Sequence, residues 1–408
     1  MILRAGTTGT RSANPPAGAV ITDHDSAVNA AIALASAFAA GASARDAGRV
    51  LPVDEIERLS ASGLLAITVP REFGGPGLGP VTLSRVIAIL AAADPSIAQI
   101  PQSHFTFLEA LRRNGSTQLQ EWVFGRVLAG GRLANAQNER TGKTVTDDST
   151  TVSDTPDGLR LNGIKYYCTG AYFAHILAVR AVVADGTGPQ RKVLVYLPAD
   201  TPGVEIADDW DGFGQRTTSS GTVTFTDVAV EEAALLDFSG LLSEPSTYGA
   251  RAQLVHAAID VGIARGALGA AAEVVAVARP WFESGLDRAV DDPYLIAQAG
   301  ELELTVRAAE SLLETAAYRI SEAADPAGIA EASLATAAAK VAAGRAARDA
   351  AADLFDFGGT RSAAGKANWS RFWRDARTHT LHDPERWKVH HLGRWALGGQ
   401  PPPSHTSL

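Results

Sequence analysis

Cysteine is almost absent from this sequence: of 408 residues, Cys168 alone is a cysteine. No intrachain disulfide can form, and a reducing compartment is the expected setting. Positive charge is also scarce. The 36 Lys and Arg are outnumbered by 45 Asp and Glu, for a net charge of -9, which argues against a nucleic-acid partner. The opening stretch MILRAGTTGTRSANPPAG has no apolar core of the secretory-signal kind and reads as a flexible arm. A membrane span is missing too. Ala27 to Ala44 carries no charge, but it is mostly alanine and includes Asn29, Ser36 and Ser43, whereas a span needs about 20 predominantly apolar residues. A cytoplasmic protein with no membrane or nucleic-acid partner is expected. There is no internal repeat. Hydrophobic residues make up 46% of the chain, enough for two or three domains of roughly 100–200 residues each.

What is present falls into zones of different texture. Residues 1–24 form the arm, and 25–132 are Ala- and Leu-rich and helical, interrupted by the loop REFGGPGLG between Pro70 and Pro80. Across 133–240 Thr, Val and Tyr rise, and turn signals recur at Asp157-Gly158, Asn162-Gly163, Asp185-Gly186 and Pro202-Gly203. Between them Leu177 to Val183, Val193 to Leu197 and Thr222 to Val228 read as strands, which predicts a small antiparallel barrel or sandwich. From 241 to 398 the chain is helical again, and 399–408 is a tail. Leu295, Ala299, Leu302, Val306, Ala309, Leu313, Ala316 and Ile320 alternate steps of four and three, the stripe of a long bundle helix that starts near Asp291-Asp292-Pro293. Ala337, Val341, Gly344, Ala347, Ala351 and Leu354 form a second stripe, small enough for close helix approach; Leu254, Ala258 and Val261 begin a third. The fold class is therefore α+β and multidomain: a helical domain, a β domain and a helical bundle.

That order, over roughly residues 25 to 398, resembles the acyl-CoA dehydrogenase superfamily. The similar segments are GLLAITVPREFGG (Gly63 to Gly75), LNGIKYYCTGA (Leu161 to Ala171), VGIARGAL (Val261 to Leu268) and DLFDFGGTRS (Asp353 to Ser362). The resemblance implies the acyl-CoA dehydrogenase fold, with a central β-barrel, a C-terminal four-helix bundle and a homotetramer. One segment departs from the dehydrogenase pattern. Those enzymes remove an α-proton with a glutamate after the last long helix, or with an acidic residue early in the first bundle helix. Here the first region reads RTHTLHDPERW (Arg377 to Trp387), and Arg251 to His256 carries no carboxylate. THTLHDP is instead similar to the flavin monooxygenase branch, the dibenzothiophene monooxygenases and the sulfur-acquisition oxidoreductases of dimethylsulfone use. IPQSHF (Ile100 to Phe105), DDWDGFGQRTTSSGT (Asp208 to Thr222) and RPWFESGLDRAVDDP (Arg279 to Pro293) resemble the latter group.

This branch implies a two-component FMN-dependent monooxygenase. Reduced FMN comes by diffusion from an NAD(P)H-dependent flavin reductase, reacts with O2 to a C4a-hydroperoxyflavin, and oxygenates a small organosulfur or related heteroatom compound. Such chemistry needs polar groups at the flavin edge, a phosphate site, a proton donor and exclusion of water. By resemblance Asn135 (with Asn138 as competitor) and Thr169 contact the flavin and serve the oxygen step, and Trp210 packs on the flavin or its pocket. Arg279 reaches the phosphate of a neighbouring subunit's flavin, near the turn at Gly358 and Gly359. His379 and His382 are the candidate proton donors, histidine being titratable near neutrality, and His104 and Trp210 line the substrate pocket. Each has a plain structural alternative: strand-end or turn hydrogen bonds for Thr169 and Asn135, core packing for Trp210 and the histidines, a surface ion pair for Arg279, and a helix cap for the glycines. Cys168 is read as a small buried filler, and His390 and His391 as tail packing. No zinc motif is found, so no metal is expected. Two further functions remain: an FAD-dependent acyl-CoA dehydrogenase with an atypical base, and a non-catalytic binding protein on the flavin fold.

Overall fold

The computed structural model describes residues 19–183, 191–403 and 405. The expected arm falls largely outside these residues, as does the Asp185-Gly186 turn. Helices α1 (His24–Gly48), α2 (Val53–Ala61), α3 (Pro80–Ala93), α4 (Pro95–Gln99), α5 (Gln102–Asn114) and α6 (Thr117–Leu128) come first. On length and composition α1 could cross a membrane. Here its Ala27, Ala31, Leu34, Phe38 and Ala42 form one buried face of the core, the i, i+4, i+7 spacing of a helix packed on one side. Its start is fixed by a capping box, with Asp23 accepting from the Ser26 N–H.

Strands β1 (Leu133–Ala136), β2 (Thr151–Thr155), β3 (Gly158–Cys168), β4 (Ile176–Val183), β5 (Lys192–Pro198), β6 (Val204–Ile206), β7 (Gly221–Val230) and β8 (Leu235–Asp237) follow. They pair in the order β6-β7-β3-β2-β4-β5-β8, with β1 also against β4. The β1–β4 and β2–β4 pairings are parallel. The sheet is thus mixed rather than wholly antiparallel, because the two short strands before β4 return to it through long connections rather than hairpins. The Asp157-Gly158 turn does join an antiparallel hairpin, β2 to β3, with Thr155 opposite Gly158. Cys168 is fully buried at the end of β3, where burial pushes its thiol up to about 12 and leaves it inert.

After the short α7 (Phe238–Ser243) come the long helices α8 (Tyr248–Ala276), α9 (Pro293–Glu322) and α10 (Pro326–Gly358), then α11 (Ser370–His379) and α12 (Glu385–Gly398). Asp292 caps α9, accepting from the Tyr294 N–H at 2.9 Å, and Pro293 occupies its first turn. The stripe from Leu302 to Ile320 is buried, as is that from Ala337 to Leu354. Helix α8 is the central member, buried on nearly every side. Its VGIARGAL segment meets α3 through glycine. A Cβ at Gly262 would collide with the Ala91 Cβ and lie 2.5 Å from the Ala88 carbonyl, and one at Gly266 would lie 2.5 Å from the Ala92 carbonyl. These two positions, one turn apart, let the backbones of α3 and α8 touch. Gly262→Val is expected to lower stability by about 1–3 kcal/mol, the usual cost of overpacking, seen as a drop in the urea midpoint with unchanged slope.

Candidate active site at the junction of sheet and bundle

Polar residues on α8 are rare, and two of them, His256 and Asp260, lie four apart and so share a face. Both are buried, Asp260 completely. Helix α11 brings a third group to that face. Its Phe372, Asp375, Ala376 and His379 are buried at i, i+3, i+4 and i+7, so one turn separates the Asp375 and His379 side chains. Arg374 anchors α11 from its other side, donating to Asp46 Oδ1 of α1 at 2.9 Å. On α10, Gly344 faces this contact: a Cβ there would lie 3.3 Å from Thr380 Cγ2 and 3.8 Å from Asp260 Oδ2.

The resulting cluster is tightly joined. His379 Nδ1 lies 2.5 Å from Asp260 Oδ1, and Lys340 Nζ donates to Asp260 Oδ2 at 2.6 Å. His379 Nε2 lies 3.0 Å from His256 Nδ1. The His256 ring stacks on His382 with centroids 3.9 Å apart and planes at 27°. Beyond it Lys388 donates to Asp383 Oδ2 at 2.6 Å, which is 4.0 Å from His382 Nδ1. Burial alone would raise the Asp260 pKa, but the charges and hydrogen bonds of His379 and Lys340 outweigh it and hold the carboxyl at about 2. Burial, aided by the neighbouring His382, His379, Lys340 and Lys388, pushes His256 well below the usual histidine range. His382 is also pushed down, mainly by burial, but 40% of its side chain is open, so water at that edge tempers the shift.

A second polar chain runs from the sheet to the same helix. Thr169, just after β3, has its Oγ1 2.8 Å from Ser220 Oγ, which is 2.8 Å from Thr218 Oγ1. Thr218 and the Trp210 indole N–H both donate to the Gln215 carbonyl, at 3.0 and 2.8 Å. The Gln215 N–H donates to Asp375 Oδ1 at 2.6 Å. Tyr167, Gln215 and Ser219 all adopt left-handed φ of 57°, 51° and 46°; such strain in non-glycine residues concentrates where a surface is held for use. Trp210 is half-buried and meets Tyr167 edge to face at 6.3 Å. Burial pushes the Asp375 carboxyl up to about 7, against the Gln215 N–H, which lowers it.

Several buried polar atoms around these chains have no partner among the described residues: Asn135 Oδ1, both amide atoms of Gln215, and Thr378 Oγ1. The antiparallel bridge between Asn138 and Tyr166 places Asn135 and Thr169, each three residues away from it, toward the same end of the sheet. Unpartnered buried polar atoms cost free energy unless something binds them, and this set suits a flat ligand with donors and acceptors along one edge.

The structure thus places His379 at the end of α11 with His382 just after it, and joins Trp210 and Thr169 through Gln215 to Asp375 one turn earlier on that helix, while Asn135 lies toward the same end of the sheet as Thr169. The remaining expected residues lie elsewhere in the chain. His104 is buried, its Nε2 is 2.8 Å from the Leu65 carbonyl, and its Nδ1 accepts from the Leu133 N–H at 3.0 Å. Its Nδ1 joins α5 to β1 and its Nε2 joins α5 to the turn at Leu65, and burial pushes its pKa down to about 4. A cavity of about 380 Å³ does exist, but it lies between α5, α8 and the 68–80 loop, lined by Phe105, Leu108, Leu83 and Val255 rather than by Trp210, His104 or His382. Arg279 is exposed, and Gly358 and Gly359 (φ 55°) end α10 beside the last turn of α8, where Arg361 donates to the Val277 carbonyl. From Asp260 to that turn α8 rises about 24 Å at 1.5 Å per residue, so within one chain these three residues cannot join the histidine cluster around one ligand of FMN's size. Sequence reasoning missed His256, Asp260, Lys340, Gln215 and Asp375. The acidic residue sought between Arg251 and His256 stands one turn further on, and an His/Asp pair at i, i+4 inside the apolar run VHAAIDVG was the signal for it. No group of three or more His, Cys, Asp or Glu that could hold a metal is present among the described residues.

Asp375 makes stability depend on pH in an unusual direction. Its folded pKa, about 7, lies above the ordinary 3.8. Its contribution is therefore fully present below about pH 4 and is lost as pH rises toward 7. Asp375→Asn keeps an acceptor for the Gln215 N–H and does not titrate. Relative to wild type it is expected to gain on the order of 2–4 kcal/mol between pH 4 and pH 7.5, read from urea midpoints; parallel pH profiles in the two proteins would refute the assignment.

Comparison with known proteins agrees with this architecture. The family models "Acyl-CoA dehydrogenase, N-terminal domain", "middle domain" and "C-terminal domain" match residues 23–131, 136–228 and 254–384. A dibenzothiophene monooxygenase of Rhodococcus qingshengii is 32% identical over 95% of this chain and 98% of its own. The probable FMNH2-dependent monooxygenase SfnC of Pseudomonas putida is 33% identical over 92% of this chain and 95% of its own. The crystal structure of FMN-bound TdsC from Paenibacillus sp. A11-2 superposes with a TM-score of 0.88 at 31% identity, covering 94% of this chain and all of the other. The chain belongs to the acyl-CoA dehydrogenase family, in its branch of flavin-dependent monooxygenases.

Proposed function

We propose that this protein is the oxygenating component of a two-component monooxygenase, which takes reduced FMN from a separate NAD(P)H-dependent flavin reductase and uses O2 to oxygenate a small organosulfur or related heteroatom compound. The observation that carries this reading is the state of Asp260. Dehydrogenation of an acyl thioester needs a free carboxylate base, yet both Asp260 oxygens are committed, one to His379 and one to Lys340. Histidines stand at the site instead. The names of the relatives, a dibenzothiophene monooxygenase and an FMNH2-dependent monooxygenase, support the same choice of FMN over FAD and of a sulfur compound over an acyl thioester. A cytoplasmic setting, where reductase and NAD(P)H are at hand, fits it.

The unpartnered atoms fit a flavin. Asn135 Oδ1, Thr169 Oγ1 and the Gln215 amide would meet the polar edge of the ring system, and Trp210 would shield it. Bound reduced FMN supplies the two electrons that activate O2. Everything else falls to the chain. Thr169 is oriented by Ser220 and presents a hydroxyl at a set position. The strained 215–219 segment holds Trp210 over the site and helps to exclude water. His382, the open-edged histidine of the cluster, holds a proton for the departing oxygen atom. Arg279 and the Gly358-Gly359 turn, too far away within one chain, bind the phosphate of a neighbouring subunit's FMN, which requires at least a dimer and accords with a homotetramer.

Stopped-flow mixing of protein-bound reduced FMN with O2 tests this. A transient flavin spectrum, distinct from both the reduced and the oxidised forms, is expected, with a sulfide or sulfone gaining one oxygen atom per turnover. His382→Ala is expected to lower coupled oxygenation by roughly 10²–10⁴-fold, the range of a lost acid–base group, with peroxide released instead. Reoxidation as fast as free flavin, or tight FAD bleached anaerobically by an acyl-CoA, would overturn the reading.

A further inference from the structure

His379 is fully buried, and both of its ring nitrogens are occupied. It cannot touch a substrate or a flavin itself. Whatever proton it holds can leave toward the site only through the group on its Nε2, which is His256.

The direction of the hydrogen bonds follows from counting protons. Two ring nitrogens 3.0 Å apart share one proton, since two lone pairs or two N–H groups would repel. Asp260 decides which ring donates. Its carboxylate Oδ1, 2.5 Å from His379 Nδ1, accepts, so His379 carries a proton on Nδ1. In a neutral ring His379 Nε2 is then a lone pair, and the His256 Nδ1–H donates to it. The order is His256 to His379 to Asp260, with Lys340 neutralising the far carboxylate oxygen.

We propose that Asp260, His379 and His256 form a one-proton relay in which His256 is the outer, positioning member that connects buried His379 to the reaction site. A proton bonds to the lone pair of His256 Nε2. The His256 Nδ1–H bond breaks as that proton moves to the lone pair of His379 Nε2. No electrons are gained or lost, and the single positive charge comes to rest on His379 beside Asp260. Reversal returns a proton from His256 Nε2. His382, stacked on the His256 ring, covers the face of the relay and holds its plane. The charged and titratable groups around it are Lys340 and Arg348 of α10, His382 and Asp383 before α12, and Lys388 of α12. The relay rests on the oxygenase reading for its use, as the store behind the acid step, but not for its existence.

The test uses the full chain, free of flavin and labelled with ¹⁵N-histidine, and follows two-bond nitrogen–proton couplings against pH. In wild type, at a pH above that at which the pair takes up a proton, both His256 and His379 are expected as Nδ1–H tautomers. On acidification the nitrogens of both rings are expected to respond with one shared midpoint, as a single proton enters at His256 Nε2. His256→Asn keeps an N–H donor toward His379 but cannot relay, so the His379 resonances are expected to lose that response while the Nδ1–H to Asp260 persists. With bound reduced FMN, the same variant is expected to slow the proton-dependent step at least tenfold and to remove one limb of its pH profile. On the alkaline side of that midpoint, an Nε2–H tautomer at His256 in wild type would overturn the relay, and this needs no variant to fold. So would an unchanged His379 titration in His256→Asn. Because the spectra need no flavin, they test the relay even if the oxygenase reading fails. A normal oxygenation with independent histidines would refute the relay alone.

Discussion

The anion at Asp260 is the constraint around which the bundle is arranged. A carboxylate with no exposed surface is costly in a low-dielectric interior unless each oxygen finds a partner. Lys340 from α10 takes one oxygen and His379 from α11 the other. Three helices are therefore held at one point by one charge. Removing any partner would leave an uncompensated charge in the interior, a loss of about 3–5 kcal/mol by analogy with other buried pairs. Around this point the helices are built from alanine and glycine, which contribute little apolar area each but allow backbones to approach closely. The polar cluster thus supplies directional definition that such smooth surfaces lack.

The same helix, α11, ties the bundle to the sheet. Its Asp375 receives the Gln215 N–H, and Gln215 in turn organises Trp210 and the Thr218–Ser220–Thr169 hydroxyl chain. Displacement of α11 would therefore be felt at once by the histidines and by the sheet end. This is why a site assembled from residues far apart in the chain can still hold the close tolerances that catalysis requires.

Much of this was legible in the sequence, for local reasons. The helical stripes of α9 and α10 are periodic over many turns, and each of their apolar positions is packed or buried. The start of α9 was written in Asp292-Pro293. THTLHDP pointed to His379 and His382 because those two are near neighbours in sequence. What was not legible depends on distant pairing. His256 meets His379 from 123 residues away, and Asp260 meets it from 119. Nothing in the run VHAAIDVG says which side of α8 faces α11. His104 is the converse case: the sequence shows a histidine in the motif IPQSHF, but its backbone partners Leu65 and Leu133 are invisible in one dimension. The parallel returns to β4 were hidden because β1 and β2 are short and their connections long.

Gly344 fixes one further dimension of the site. The gap between α10 and α11 is set there by the want of a side chain, since even a methyl group would press on Thr380 at 3.3 Å. The bundle works as a caliper whose jaw opening determines how near His379 comes to Asp260. Donor–acceptor distance governs on which side of a short hydrogen bond a proton prefers to rest. The acid–base temperament of the site can therefore be retuned by exchanging an inert residue, with every ionisable group left in place.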